Sequence, residues 1–366
     1  MDIRVQRLAR LLVDYSVDVQ AGERVAILSS PAAAELVRPV YERVLERGGH
    51  PFLSIGLPGI DEIFYRVATE EQLRYVSPVD RMIFEEFETL ISIRAATNTR
   101  ELNETDPTKQ RTRSQARRPL MQTYMERSAR GAFKWSGTLF PTSAYAQEAD
   151  MSLRDYKDFV YTACHCNQED PVAAWQAVHN RQAEVIEWLK GREQVKIVGP
   201  NVDLTLSVQN RTFINSDGHH NMPSGEVFTG PVEDSAQGWV KFTYPAITGG
   251  REVNGVQLTF EDGRVVQATA SKNEDYLMHM LDTDEGSRYL GEFAIGTNFG
   301  IQRFTKNILF DEKIGGSFHV ALGNGYPETG SQNQSAIHWD MICDMRDGGE
   351  IWVDDELLYE SGKFQI

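Results

Sequence analysis

The sequence predicts an α/β protein of two domains. Residues 1–190 read as a mostly parallel sheet flanked by helices, and residues 191–366 as an α+β domain with largely antiparallel strands. Three observations predict this. A chain of 366 residues exceeds one ordinary core. Its first half alternates short apolar runs with amphipathic ones, the pattern of strands joined by helices. Its second half runs from strand to strand through turn residues.

In the first domain the opening segment has helical spacing, with Val5, Leu8, Leu11, Leu12 and Tyr15 on one face. A strand at 23–30 leads into a helix whose stripe is Leu36, Val40, Val44 and Leu45, closed by Gly48. Residues 51–56 and 89–95 supply further strands, and 69–77 opens like a capped helix. Lys109, Arg111, Arg113, Arg117 and Arg118 are spaced for one exposed helix, interrupted by Pro119. An amphipathic helix at 171–190, with Ala174, Val178, Val185 and Leu189 near one face, ends the domain. The second domain begins with a strand at 192–199 and an alternating one at 203–208. A hairpin over 256–270 turns at Asp262-Gly263. A strand at 317–323 and a terminal hairpin around Asp354-Asp355 complete the pattern.

Composition excludes several classes of function. No apolar run approaches the roughly 20 residues of a membrane span. Charges at Asp2, Arg4, Arg7, Arg10 and Asp14 break the opening segment, which excludes a secretory leader. Cys164, Cys166 and Cys343 cannot all pair, and a long chain without a disulfide framework suits the reducing cytoplasm. Cys164 and Cys166 lack the second cysteine pair that a zinc site of this kind needs. The net charge of −16 argues against a nucleic-acid partner, so the basic helix reads as a solvated face or a partner contact. The loop after the first strand, SSPAAAE, lacks the glycines of a phosphate cradle, which excludes a nucleotide site there. Of the net charge, −3 lies in residues 1–190 and −13 in residues 191–366. Carboxylates concentrated in this way attract cations and amine-bearing ligands.

Three segments of the second domain concentrate metal-binding residue types. They are 221–231 with Glu226, 281–298 with Glu292, and 317–345 with His319, Tyr326, His338 and Asp340. In His338-Trp339-Asp340 the outer residues point to one side of a strand, so both can reach one ion while Trp339 packs. A His/Asp/Glu set suits zinc, cobalt or manganese. Five such ligands exceed one tetrahedral zinc and are about right for two metals with waters. His219 and His220 are candidates by type, whereas His50, His165, His179 and His279 lack acidic partners at ligand spacing. Asp282, Asp284 and Glu285 read as helix-capping acids.

The same segments, read as N-x-P-S-G-E-V-F-T, L-D-T-D-E-G with a following G-E, H-x-A-L-G, and H-W-D with a later G-G-E-I, resemble the thermophilic-type metallo-aminopeptidases. The opening LARLLVDYSVDVQAGERVAI also looks like that family, so the resemblance spans the chain. It implies metal ligands at Glu226, Glu292, His319, His338 and Asp340, and a catalytic tyrosine at Tyr326. It further implies two divalent ions per chain, peptide substrates with a free N-terminus, and a homodimer whose sites face an enclosed cavity. The mechanism implied is attack by a metal-activated water. Glu226 or Glu292 assists proton transfer, and Tyr326 donates to the tetrahedral oxyanion. The chain departs from the family pattern in being shorter, with residues missing between His319 and His338, which bears on the local loop and on substrate preference. Two other readings use the same residues: a dipeptidase-like peptidase or amidase, and a non-catalytic metal-binding protein on the same fold.

Overall fold

The computed structural model describes residues 2–248 and 250–366. The chain divides into two compact units. One comprises residues up to Ala174 together with Gly218–Pro223, the other Trp175–Asp217 together with Ser224–Ile366. The division thus falls near the start of the helix Pro171–Leu189, where the sequence pattern places it at the end.

The first unit is built on a five-stranded parallel sheet. Its order is His50–Ile55, Arg24–Ser29, Thr89–Arg94, Lys134–Leu139 and Asn221–Met222. The last two strands are not predicted by the spacing. Lys134–Leu139 is rich in polar and small residues, and Asn221–Met222 is too short for any period and arrives from far along the chain. The strand order reverses beside Arg24–Ser29, the place where doubly wound sheets often bind ligands. Here the hydroxyls of Ser29 and Ser30 donate to the carbonyls of Ile93 (3.0 Å) and Ala95 (2.8 Å).

Local chemistry sets the helices. Asp2 caps the helix Ile3–Leu11, accepting from the Arg4 amide at 3.0 Å, and Val5, Leu8, Leu11, Leu12 and Tyr15 are all buried. Thr69 and Gln72 form a capping box at Glu70–Arg74. On Ala34–Glu46 the buried stripe is Leu36, Val37, Val40 and Val44. Leu45 is exposed: in a helical period Val37 shares the face of Val40 and Val44, and Leu45 is turned away from it. The basic residues do share one helix, Pro107–Ala129, which continues through Pro119.

The second unit holds two antiparallel sheets and a two-stranded ribbon, Ala246–Thr248 with Arg251–Val253. The larger sheet has eight strands and runs from Arg264–Thr269 at one edge to Lys363–Phe364 at the other. Its hairpin turns at Asp262-Gly263 and Asp354-Asp355 both have two consecutive residues at positive φ, the requirement of a type I′ turn. The second sheet has the order His338–Asp344, Ser317–Gly323, Leu290–Gly296, Glu226–Thr229, Ile214–Ser216. One face of it, including Phe293, Phe318, Val320, Trp339 and Met341, joins Val195, Ile197 and Leu204 of the larger sheet in one core. Burying a side chain of that size contributes about 1.5–3 kcal/mol, which fixes the strand register and so the direction of the opposite face.

Candidate metal centre

The opposite face carries the polar residues. In an antiparallel pair, directly opposed residues project to the same side. Ala321 opposes both Glu292 and Asp340, Gly323 opposes His338, and Ala294 opposes His319. On the next strand Gly296 opposes Glu226. Glu226, Glu292, His319, His338 and Asp340 therefore share one face across four strands. The positions between them, Ala294, Gly296, Ala321 and Gly323, are small, and at Gly296 and Gly323 the backbone of Ile314 and Ile337 approaches so closely that a Cβ would meet their carbonyl oxygens at 2.3 Å.

These side chains form two groups, each with ligand atoms within 4.8 Å of one another: Glu226, Glu292 and His319, and Glu292, His338 and Asp340. Glu292 belongs to both. Its Oε1 lies 3.5 Å from Nε2 of His319 and its Oε2 lies 3.3 Å from Nε2 of His338. Nε2 of His338 is 3.3 Å from Oδ1 of Asp340, and Nε2 of His319 is 3.7 Å from Oε2 of Glu226.

The surroundings fit divalent ions. Nδ1 of His319 donates to the Glu312 carbonyl at 2.8 Å, and Nδ1 of His338 to the Asn324 carbonyl at 2.7 Å. A carbonyl only accepts, so Nδ1 carries a proton, and once the Nε2 proton is released each ring turns a lone pair at Nε2 toward the carboxylates. Oε2 of Glu226 is buried without a hydrogen-bond partner among the described residues. The buried carboxylates of Glu226 and Glu292 and the half-buried one of Asp340, facing one another, repel strongly unless cations sit among them.

Charges in the protein itself respond to this crowding. Burial raises the pKa of the Glu226 carboxyl. Burial also opposes ionisation of Glu292 and Asp340, yet hydrogen bonds from the imidazoles hold both below the usual carboxylate range. Burial disfavours charge on His338, but Asp340 and Glu292 outweigh it and push the ring up to about 11. His319 is raised by Glu292 in the same way against its burial. Protons held at these nitrogens occupy the lone pairs that an ion would take.

Tyr326 lies just beyond the strand Ser317–Gly323, its ring 5.2 Å from that of His338 and 5.4 Å from that of Phe228. Tyr326 is 38% exposed, and partial burial together with the Glu292, Asp340 and Glu226 carboxylates raises its phenol above the ordinary value, so the hydroxyl keeps its proton and can donate it in a hydrogen bond. Gly225, at φ +114°, starts the strand that carries Glu226, and a Cβ there would meet Asn298 Cβ at 2.7 Å. Asn298 in turn donates to the Ser224 carbonyl at 2.8 Å.

The remaining candidates lie elsewhere. His219 packs against Tyr15 and His220 stacks on Trp135, both in the first unit. His179 does have an acidic partner, Asp217 at 2.6 Å, one supplied by the fold and absent from its own segment. Asp284 accepts from Ser335 and Ala336, and Asp282 pairs with Arg288, so these acids serve loop and cap. Two residues beside the centre are missed by sequence reasoning. Gln182, on the buried face of its helix, donates to the Glu226 carbonyl. Lys313 is wholly buried and points at Glu226. A lysine that follows Asp311 and Glu312 and precedes Ile314 and two glycines carries no sequence signal of burial.

The family described as thermophilic metalloprotease (M29) matches residues 1–364. The chain belongs to that family. This metalloprotease is 28% identical to Aminopeptidase 2 of Geobacillus stearothermophilus, over 91% of this chain and 86% of that one. It is 26% identical to Aminopeptidase AmpS of Bacillus subtilis, over 95% and 94%. Aminopeptidase T of Thermus thermophilus is 31% identical over 62% of this chain and 60% of its own. Among solved structures, wild-type AmpT from Thermus thermophilus superposes with a TM-score of 0.86 at 22% identity over 99% of each chain, which shows a shared fold. A 2,5-dihydroxypyridine dioxygenase from Pseudomonas putida KT2440 shares the fold more distantly, with a TM-score of 0.58 at 14% identity over 99% of this chain and 96% of its own. Fold alone therefore does not decide the reaction. Family membership does: the metalloprotease hydrolyses peptide bonds and uses a divalent metal. Among the described residues no helix is long and apolar enough to cross a membrane.

Proposed function

We propose that this metalloprotease is an aminopeptidase that works with two divalent ions, zinc, cobalt or manganese, and that Glu292 would contribute to holding both. The carrying observation is the membership of Glu292 in both ligand groups. Glu226 and His319 would complete one ion's ligands, and His338 and Asp340 the other's. The relatives' names, all aminopeptidases, support the exopeptidase reading. When bound, such ions lower the pKa of a water toward neutrality and polarise the scissile carbonyl. The protein's own groups do the rest. With both Glu292 oxygens facing imidazoles, Glu226 is the carboxylate assigned to assist proton transfer to the leaving amine. Tyr326 donates its phenol hydrogen to the oxyanion. The surplus of carboxylate suits a substrate's free amine.

We also assign a homodimer and cytoplasmic residence, the latter supported by a long sequence with three cysteines and no disulfide framework. The helix Ile60–Val67 supports the dimer: it has no buried residue, yet Ile60, Ile63 and Val67 are apolar and lie beside exposed Leu57.

The test is turnover of leucine p-nitroanilide by chelator-stripped protein with zinc, cobalt or manganese restored. Cleavage of the free-amine substrate but not its N-acetyl derivative, lost in Asp340→Ala, is the expected result. Equal cleavage of the acetylated substrate would replace the aminopeptidase reading with a general amidase.

A further inference from the structure

The structure assigns Lys313 a positioning role: it engages Oε1 of Glu226 and leaves Oε2 alone to serve the metal centre. This rests on the metal-site reading above. The side chain of Lys313 is 0% exposed, with Nζ 3.7 Å from Oε1 of Glu226 and in contact with Glu312. A buried ammonium costs several kcal/mol unless it is paired, so its direction is informative. A lysine needed only for Glu312, whose side chain is 17% exposed, has an outward route available. This one instead spans from Glu312 to the buried carboxylate of Glu226.

The backbone reinforces the placement. The Lys313 carbonyl accepts from the Asn298 amide at 3.2 Å, and the Asn298 side chain holds the Ser224 carbonyl at 2.8 Å. Asn298, Lys313 and the segment leading into Glu226 are thus tied to one another by hydrogen bonds. The two oxygens of Glu226 are then unequal: Oε1 faces the ammonium, whereas Oε2 has no hydrogen-bond partner among the described residues and faces His319. A carboxylate held in this way is confined to one-oxygen ligation. Released, it can turn both oxygens toward the ion and raise the coordination number, which removes the open position a hydrolytic site keeps.

The experiment compares wild type, Lys313→Met, Lys313→Arg and Glu312→Gln as full chains, stripped with chelator and loaded with cobalt(II). The readouts are the visible spectrum per bound cobalt, kcat and KM, with near-ultraviolet circular dichroism as the check of folding. Lys313→Met is expected to bind cobalt with weaker visible bands, as higher coordination gives, and to lose about 10–100-fold in kcat at nearly constant KM, the range for groups that orient a ligand. Lys313→Arg is expected to restore the wild-type spectrum. A folded Lys313→Met with an unchanged spectrum overturns the assignment, whether or not activity falls. If Lys313→Met does not fold, Glu312→Gln decides: a shifted spectrum supports the role and an unshifted one overturns it. Failure of the metal-site reading looks different, since wild type would then take up no cobalt or Asp340→Ala would keep the wild-type spectrum.

Discussion

Replacing Glu292 with alanine should empty the centre, whereas replacing Asp340 should empty half of it. Glu292 faces Nε2 of His319 at 3.5 Å and Nε2 of His338 at 3.3 Å through different oxygens. Its loss removes a ligand and a negative charge from both groups at once. Loss of a group that merely orients a ligand weakens binding about 10–100-fold. Loss of a direct ligand from each group should therefore weaken each ion by about 100-fold or more, about 2.7 kcal/mol. Asp340 belongs to only one group. After dialysis against buffered zinc about tenfold above the wild-type dissociation constant, elemental analysis should find little metal in Glu292→Ala and about one ion per chain in Asp340→Ala. One tightly held ion in Glu292→Ala together with none in Asp340→Ala would refute the shared-carboxylate reasoning.

Tyr326→Phe should lower kcat by about 10²–10³ with KM nearly unchanged, and a loss confined to KM would move the residue from transition state to substrate binding. Metal affinity should rise with pH, because His338, raised to about 11 by Asp340 and Glu292 against its burial, is protonated at neutral pH and must release that proton. Calorimetry in buffers of different ionisation enthalpy should detect the release. For the metal-free protein, a His338 raised above its unfolded value of 6.5 stabilises the fold fully below that pH, and the contribution fades as pH rises through about 11. Tm of the stripped protein should fall across that window, and a flat profile would contradict the imidazole–carboxylate pairing. Gly225→Ala should cost about 1–3 kcal/mol, since φ +114° strains any side chain and Asn298 fills the space, so a wild-type Tm would count against this account. Ile63→Asp should turn a dimer into a folded monomer by light scattering, and an intact dimer would move the interface away from the helix Ile60–Val67.

Much of this was legible in the sequence because the chemistry follows a strand's period of two. His338 and Asp340 point one way while Trp339, 1% exposed, points into the core, and His319 stands on a strand whose Phe318 and Val320 do the same. The strands Asn221–Met222 and Lys134–Leu139 lacked such alternation and were illegible. Leu45 and Val37 exchanged places because periodicity narrows a face only to within a residue or two. Lys313 was hidden for another reason. Its inward direction depends on long-range contacts with Glu226 and Asn298, and lysine by type belongs on the surface.

The alternation on the site's sheet also governs where this chain can tolerate a change of length. A single residue inserted between His338 and Trp339 would present Trp339 to the centre and turn the Asp340 carboxylate into the core beside Phe318. The same holds for the strands of Glu292 and His319. Insertions and deletions are instead absorbed between Gly323 and His338, where the chain leaves the ladder before returning to it. That excursion carries Tyr326 and borders the centre, so drift in its length reshapes what enters the site while the ligand geometry is inherited intact.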